Sequence, residues 1–185
     1  MNIIGIMGSP RPKGNTAVLL EKVISGAKSA GDESVIFQPN GMNIRGCQSC
    51  DACKTKGRCV IQDDMQSVYR AINAADLLVF ASPVYMWGMS AQLKLVVDRL
   101  YAYLNADYSS RLAKPVRLGL VFTQHRADAE AFMPYFRSVA GILKVIGFNP
   151  VPDVLVGAGL QAIGQAEENT AMVFDAVQYG RRLRS

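Results

Sequence analysis

The sequence predicts an α/β protein, a three-layer α/β/α domain built on a five-stranded parallel sheet. Short apolar runs of strand length alternate with amphipathic runs of helical periodicity along the chain. One of them, residues 77–81, is apolar without interruption, which is typical of a parallel strand buried on both faces. The chain has 185 residues, of which 50% are hydrophobic, enough for one substantial core. We therefore expect a single domain over residues 1–185, with a cysteine-rich loop inserted at about residues 41–62.

The first predicted strand and helix enclose a polar loop. Residues 3–7 form an apolar run of strand length, and residues 16–30 carry apolar side chains near helical periodicity. Between them, residues 8–16 read Gly-Ser-Pro-Arg-Pro-Lys-Gly-Asn-Thr. A loop that leads into a helix presents free backbone N–H groups and the positive end of the helix dipole. This loop therefore predicts an anion site.

The side chains of this loop favour a phosphate group as the anion. Ser9, Asn15 and Thr16 carry short polar groups that donate to phosphate oxygens, while Arg11 and Lys13 add positive charge. The glycine spacing matches neither the Walker loop nor the dinucleotide fingerprint. An ordinary turn capped by Asn15 or Thr16 remains the alternative.

The later elements continue the alternation. Strands are predicted at residues 34–37, 77–81, 116–122 and 150–156, and helices at residues 63–75, 90–103, 129–147 and 165–184. Because crossovers between parallel strands are right-handed, few topologies remain, and we expect the flavodoxin-like strand order 2-1-3-4-5. In such a sheet a ligand binds beyond the carboxyl ends of strands 1 and 3, where the order reverses. Here those strands end at Gly8 and Ala81.

The loop after the third strand, residues 82–89, is therefore expected to face the first loop. A flat ring system needs an apolar or aromatic wall and backbone groups at its edge. Residues that offer both are Pro83, Val84, Tyr85, Met86, Trp87 and Gly88. FMN, with a phosphate at one end and a ring at the other, has the shape that fits both loops. Thr123 and Gln124 are placed to add a third ring contact, and the alternative is that Tyr85 and Trp87 only cover the sheet edge or pack at a subunit interface.

All the cysteines lie in one loop after the second strand, at Cys47, Cys50, Cys53 and Cys59. In a cytosolic protein, thiols this close in sequence more often bind metal than form disulfides. The first three have the CxxCxxC spacing of cluster-binding ferredoxins, which favours a [4Fe-4S] cluster. Zinc or no metal remain alternatives. The basic residues between the last two cysteines either offset the charge of a cluster or are solvated: Lys54, Lys56 and Arg58.

The charge pattern excludes several classes of function. The net charge of +5 is modest and much of it lies at the end of the last helix. No stripe of basic and aromatic residues indicates nucleic-acid binding, and no apolar run approaches the roughly 18 residues of a membrane span. We expect a cytoplasmic protein that binds neither nucleic acid nor membrane. With His125 as the only histidine and no Ser-His-Asp or HExxH arrangement, no catalytic side chain is predicted.

Three motifs in order resemble those of the NADPH-dependent FMN reductase superfamily and, within it, the iron-sulfur flavoproteins. These motifs are the Gly-Ser-Pro-Arg loop that closes with Gly-Asn-Thr, the cysteine motif that leads into Asp63-Asp64-Met65, and the Ser-Pro-Val-Tyr loop that leads into Ser90-Ala91-Gln92-Leu93-Lys94. The chain departs from the family pattern at Pro12, which removes one backbone donor from the phosphate loop.

The resemblance implies a flavin-dependent oxidoreductase with two cofactors. It implies FMN bound through Ser9, Arg11, Asn15 and Thr16 with its ring near residues 83–88, and a [4Fe-4S] cluster on the four cysteines. It also implies a homodimer or homotetramer in which clusters and flavins of neighbouring subunits approach each other, with ferredoxin or transiently bound NAD(P)H as electron donor. Alternatives are a cluster-free NAD(P)H-dependent FMN or quinone reductase, and a non-catalytic module that binds zinc and a phosphate ligand.

Overall fold

The computed structural model describes all 185 residues and has a parallel sheet at its centre. The strands are β1 (Asn2–Met7), β2 (Glu33–Phe37), β3 (Leu77–Tyr85), β4 (Gly88–Met89), β5 (Val116–Thr123), β6 (Phe148–Pro150) and β7 (Leu155–Gly157). The main order is β2-β1-β3-β5-β6, all parallel, with β7 also pairing with β5 and β4 pairing antiparallel with β3. Counting β6 and β7 as one interrupted strand gives the flavodoxin-like order, so the predicted fold class is confirmed.

Helices cover both faces of the sheet. They are α1 (Asn15–Ala27), α2 (Ala52–Lys56), α3 (Met65–Ala74), α4 (Ala91–Arg99), α5 (Met133–Ile146), α6 (Gln165–Glu168) and α7 (Thr170–Arg184). Alternate residues of each strand enter two separate apolar clusters, because successive side chains of a strand point to opposite faces. Phe80 of β3 packs in the cluster with α3, α4 and α5, while Val79 packs in the cluster with α1 and α7.

The register of β1 and β3 brings the two predicted ligand loops together. Met7 pairs with Ala81 at the carboxyl ends of these strands. Beyond that pair, the Gly8 N–H donates to the Ala81 carbonyl at 2.7 Å, and the Ser90 hydroxyl donates to the Gly8 carbonyl at 2.6 Å. The reversal of strand order therefore lies where the sequence predicts it.

The fifth predicted strand, residues 150–156, is two short pieces instead of one. The Val151 N–H still bonds to the Leu118 carbonyl of β5 at 3.0 Å, but Pro152 has no N–H to continue the ladder. Pairing resumes at Leu155, opposite Val121. The interruption lies at the edge of the sheet, where a proline is tolerated.

Other boundaries differ where the chain bends within a predicted element. β3 continues through Pro83 to Tyr85 and turns back into β4, so much of the predicted loop is a hairpin. The predicted last helix breaks at Asn169, whose side chain accepts a hydrogen bond from the Met172 N–H at 3.0 Å and caps α7. Helix α2, within the cysteine loop, is not among the predicted elements.

Helix α1 is held against α7 by two glycines at a close crossing. A Cβ atom at Gly180 would lie 2.0 Å from the Val23 carbonyl oxygen, and one at Gly26 would lie 2.1 Å from the Val177 carbonyl oxygen. The helix that begins at the phosphate loop is therefore fixed from behind by backbone-to-backbone contact. No helix combines the length and apolar character that crossing a membrane requires.

Candidate functional site

A cavity of about 310 Å³ opens where β1 and β3 end. Its lining comes from the first loop, the end of β3, the end of β5 and the segment after β7: Ser9, Arg11, Gly14, Asn15, Thr16, Pro83, Val84, Tyr85, Thr123, Gln124, His125, Leu160 and Gln161. The structure thus brings Ser9, Arg11, Asn15 and Thr16 together with the first half of the predicted ring loop, whereas Lys13 does not line the cavity.

Several side chains of the phosphate loop are already bonded within the protein. Asn15 donates to the Ala162 carbonyl at 2.8 Å and accepts from the Ala166 N–H at 3.1 Å. The Thr16 hydroxyl bonds to the Thr123 hydroxyl at 2.6 Å. These contacts fix the loop in shape and engage the Asn15 and Thr16 side chains, whereas the N–H groups at the start of α1 and the exposed Arg11 side chain can meet an anion.

Ser9 has a double role at the same edge of the cavity. Its side-chain oxygen accepts a hydrogen bond from the Arg11 N–H at 3.1 Å, and only 3% of the residue is exposed. An accepting hydroxyl keeps its own hydrogen as a donor. The geometry therefore lets Ser9 both hold the loop and donate into the cavity.

The second half of the predicted ring loop lies outside this cavity. Met86 and Trp87 have φ angles of 44° and 67°, so the hairpin tip has two non-glycine residues in the left-handed region, and both side chains are largely exposed. They line an adjoining surface groove of about 250 Å³, which shares Val84, Gln124 and His125 with the cavity. Gly88 lies near the Tyr135 side chain instead. The assignment of Met86, Trp87 and Gly88 to a cofactor stays a prediction.

Gln124 provides a polar atom that has no partner within the protein. Its side-chain Nε2 donates to the Asp128 carbonyl at 2.7 Å and to the Arg126 carbonyl at 3.2 Å, which fixes the orientation of the amide. Its Oε1 is buried and accepts no hydrogen bond. Because buried acceptors are normally satisfied, this atom indicates a ligand donor in the cavity.

Two lining residues, Leu160 and Gln161, are absent from the sequence prediction. Gln161 contacts the exposed His125 side chain across the mouth of the cavity. The segment follows β7 and contains Gly157 and Gly159, so a glycine-rich turn at a strand end is the signal that could have indicated it.

The four cysteines line a second, much smaller cavity of about 20 Å³, together with Arg99 and Tyr101 among others. Cys53 is buried on α2, Cys59 is half-buried, and Cys47 and Cys50 are exposed; all four are free thiols. No group of three or more His, Cys, Asp or Glu side chains is arranged to hold a single metal ion. Four thiols around one cavity do fit a [4Fe-4S] cluster in number and chemistry, since each thiolate of such a cluster binds a different iron.

Charged side chains close the base of the cysteine loop. Arg99 donates to both carboxylate oxygens of Asp63, at 2.6 and 3.2 Å, and to the Arg45 carbonyl at 2.7 Å. The Arg45 N–H donates in turn to Asp63 at 2.9 Å. Burial acts to raise the pKa of Asp63, but the hydrogen bonds from Arg99 and the Arg45 backbone outweigh it and hold the pKa below its usual value.

A second set of contacts docks α2 on the residues after α4. The Arg111 guanidinium donates to the carbonyls of Cys53 at 2.7 Å, Lys54 at 3.2 Å and Ala102 at 3.2 Å. The Lys54 ammonium lies 3.4 Å from the centre of the Tyr101 ring and donates to the Leu104 carbonyl at 2.8 Å. None of the predicted charge-balancing residues, Lys54, Lys56 and Arg58, lines the cysteine cavity; the cation that does is Arg99.

A cavity of about 310 Å³ at the reversal of strand order in a flavodoxin-like sheet lies where such folds bind FMN, which points to the class of flavin-dependent oxidoreductases. The sequence pattern of the NADPH-dependent FMN reductase family matches residues 1–150. The chain belongs to this family, as one of its iron-sulfur flavoproteins.

Relatives and solved structures agree with this assignment. An iron-sulfur flavoprotein of Methanosarcina thermophila is 38% identical over 191 residues, covering 98% of this chain and 99% of the relative. One from Methanocaldococcus jannaschii is 38% identical over 99 residues, 54% of this chain and 51% of the relative, so that match spans about half of each protein. The fold is similar to an NAD(P)H:quinone oxidoreductase from Methanothermobacter marburgensis, with a TM-score of 0.77 at 17% identity over 100% of this chain and 98% of the other.

Proposed function

We propose that this protein transfers electrons between a reduced donor, ferredoxin or NAD(P)H, and an acceptor, through FMN and a [4Fe-4S] cluster. The observation that carries the proposal is the gathering of the four cysteines around one cavity in a chain of the FMN reductase family. The name of the full-length Methanosarcina relative supports the same pair of cofactors.

The switch-point cavity is the proposed FMN site. Arg11 and the N–H groups at the start of α1 would hold the phosphate, with Ser9 as a further donor. Pro83, Val84 and Tyr85 offer a wall for the ring. Gln124 would accept the ring imide N–H through its unpartnered Oε1. Asn15 and Thr16, both predicted as direct ligands, would act chiefly by holding the loop, because their side chains are bonded elsewhere.

The cofactors supply the redox chemistry, hydride or single-electron exchange at the flavin and single-electron transfer at the cluster. The side chains of the protein would bind and orient these two cofactors. No acid, base or nucleophile of the protein is needed for electron transfer, and His125, bonded to Gln161 at the mouth, is exposed to solvent. The function is thus proposed to depend on two binding sites and on no catalytic side chain.

We also propose a homodimer or homotetramer as the working form. No residue lines both cavities in one chain, so the two cofactor sites are separate within a subunit. Assembly would allow electrons to pass between cofactors of neighbouring copies. The molar mass in solution, measured by light scattering on the loaded protein, tests this, and a monomer would contradict it.

An anaerobic visible spectrum, with iron, sulfide and flavin measured on the same sample, tests the main proposal. We expect a flavin band with a broad cluster absorption that bleaches on reduction, and about four irons per chain by the cluster type. A yellow protein without iron would favour the cluster-free reductase. A colourless protein that contains zinc would overturn the proposal.

Cys50→Ser separates the two sites. It removes one thiolate ligand, so we expect the iron content to fall to a small fraction of wild type while FMN stays bound. Thr55→Ser is the matched control, an exposed residue of the same loop that does not line the cysteine cavity, and should keep both cofactors. Loss of FMN together with the cluster in the Cys50 variant would contradict the separation.

A further inference from the structure

Arg99 is a buried positive charge in the wall of the cysteine cavity. It lies at the end of α4, its side chain is 0% exposed, and it lines the cavity with the four cysteines. A buried charge is costly unless it is paired and hydrogen-bonded. Asp63, whose side chain is 1% exposed, is its carboxylate partner. The pair could be an ordinary structural ion pair, so the remaining donors of Arg99 decide what else it does.

Two N–H groups of Arg99, one on Nη2 and the one on Nε, are left without an acceptor. The guanidinium has five N–H donors in a fixed plane. Nη1 and Nη2 serve Asp63 and the Arg45 carbonyl, but Nε is buried and has no partner. Unsatisfied buried donors are rare because each costs free energy. None of the thiols that share the cavity with Arg99 accepts a hydrogen bond from Nε, so this N–H stays unpaired in the cavity wall.

Arg99 is the positively charged side chain that lines this cavity, because the other polar groups nearby are neutral, acidic or turned elsewhere. Lys54 is turned onto the Tyr101 ring, and the Tyr69 hydroxyl donates to the Arg99 carbonyl at 2.6 Å. Asp63 is the acidic side chain that bonds to Arg99.

We infer that Arg99 is a positioning residue that tunes the cluster on the four cysteines, by placing a fixed positive charge and a free N–H beside its sulfurs so that the reduced cluster is favoured. The inference rests on the proposed function, since it assumes the cluster. Reduction adds one electron from a one-electron reductant, with no proton taken up and no bond broken, and changes the net charge of a tetrathiolate [4Fe-4S] centre from −2 to −3. A nearby positive charge stabilises the more negative form, and hydrogen bonds to sulfur act in the same direction.

A redox titration of the loaded, anaerobically purified protein with dithionite and mediators, followed by electron paramagnetic resonance, tests the inference. Arg99→Gln removes the charge, and the equilibrium constant for cluster reduction should fall about tenfold or more, which corresponds to about 59 mV for one electron. Arg99→Lys keeps the charge and should recover most of the wild-type potential. Lys94→Gln is the control, because it removes an exposed charge of the same helix and should leave the potential unchanged.

Asp63→Asn gives a second, opposite readout. It removes the negative partner while Arg99 stays charged, so the cluster should become easier to reduce, about threefold or more in the same equilibrium constant. This variant also keeps the inference testable if Arg99→Gln fails to fold with Asp63 unpaired. A purely structural ion pair predicts that both variants either lose the cluster or retain it at the wild-type potential, and either of these results would overturn the inference. A wild-type protein without iron and sulfide would overturn the proposed function itself.

Discussion

The FMN-type cavity and the cysteine cavity are built in different ways. The first forms at the end of a parallel sheet, and its loop is held by bonds to distant backbone, such as those from Asn15 to Ala162 and Ala166. The second lies in a loop whose only regular element is the five-residue helix α2, and Ser49 and Asp51 there adopt left-handed φ angles of 50° and 52°. Backbone architecture shapes one site, and a few charged side chains close the other.

The two sites also differ in which of their polar groups are left without a partner in the protein. At the switch point the protein bonds the Asn15 and Thr16 side chains itself and leaves one buried amide oxygen, on Gln124, without a hydrogen-bond partner. In the cysteine loop four thiols stay free and the arginine beside them keeps an unpaired N–H. The first site is ready before a ligand arrives, whereas the second is completed by one.

The largest effect is expected from a substitution that disrupts the close crossing of α1 and α7 behind the first site. Gly180→Ala would place a methyl group 2.0 Å from the Val23 carbonyl oxygen and force α7 away from α1. We expect a loss of about 3 kcal/mol or more in the free energy of unfolding, and weaker FMN binding, since α1 begins at the phosphate loop. Urea unfolding and flavin titration measure both.

Gly141→Ala is the matched control for that substitution. It is also a helical glycine, but its added Cβ would meet no atom within 4 Å. It should stabilise the protein by about 0.5 to 1 kcal/mol through helix propensity. Equal destabilisation by both substitutions would show that the crossing of α1 and α7 is not the cause.

A smaller, local effect is expected when the cysteine loop is undocked. Arg111→Ala removes the donors to the carbonyls of Cys53, Lys54 and Ala102, each a hydrogen bond from a charged group worth about 1.5 to 3 kcal/mol at most. Amide hydrogen exchange of residues 50–58 should accelerate at least tenfold, with FMN affinity unchanged. The exposed Arg137→Ala is the control. Faster exchange across the whole sheet would contradict the independence of the two regions.

The smallest effect is expected from a substitution that tests a single ring contact in the first site. Gln124→Leu removes the open acceptor, and FMN affinity should fall about tenfold, the equivalent of one hydrogen bond. Cluster content should not change. Riboflavin, which lacks the phosphate, should lose affinity by the same factor, because the contact is to the ring. An unaltered affinity for both flavins would show that Gln124 does not bind the ring.

Features that depend on local sequence were predictable. The alternation of elements, the phosphate loop and the clustering of the cysteines follow from periodicity and spacing over a few residues, and the fold class and family are confirmed. The bonding of Asn15 was not predictable, because its partners lie about 150 positions along the chain. Nor was Arg99, which reads in sequence as a cation suited to the end of a helix. Its burial depends on Asp63, 36 residues earlier in the chain.

The bonds of Asn15 have a consequence for the order in which the molecule is made. Its side chain joins the first loop of the chain to the Ala166 N–H at the start of α6, so the loop lacks these two anchors until residue 166 has left the ribosome. A nascent chain with β1 and α1 already synthesised still holds this loop loosely. Both anchors of the loop are therefore in place only after residues 1–166 have been synthesised.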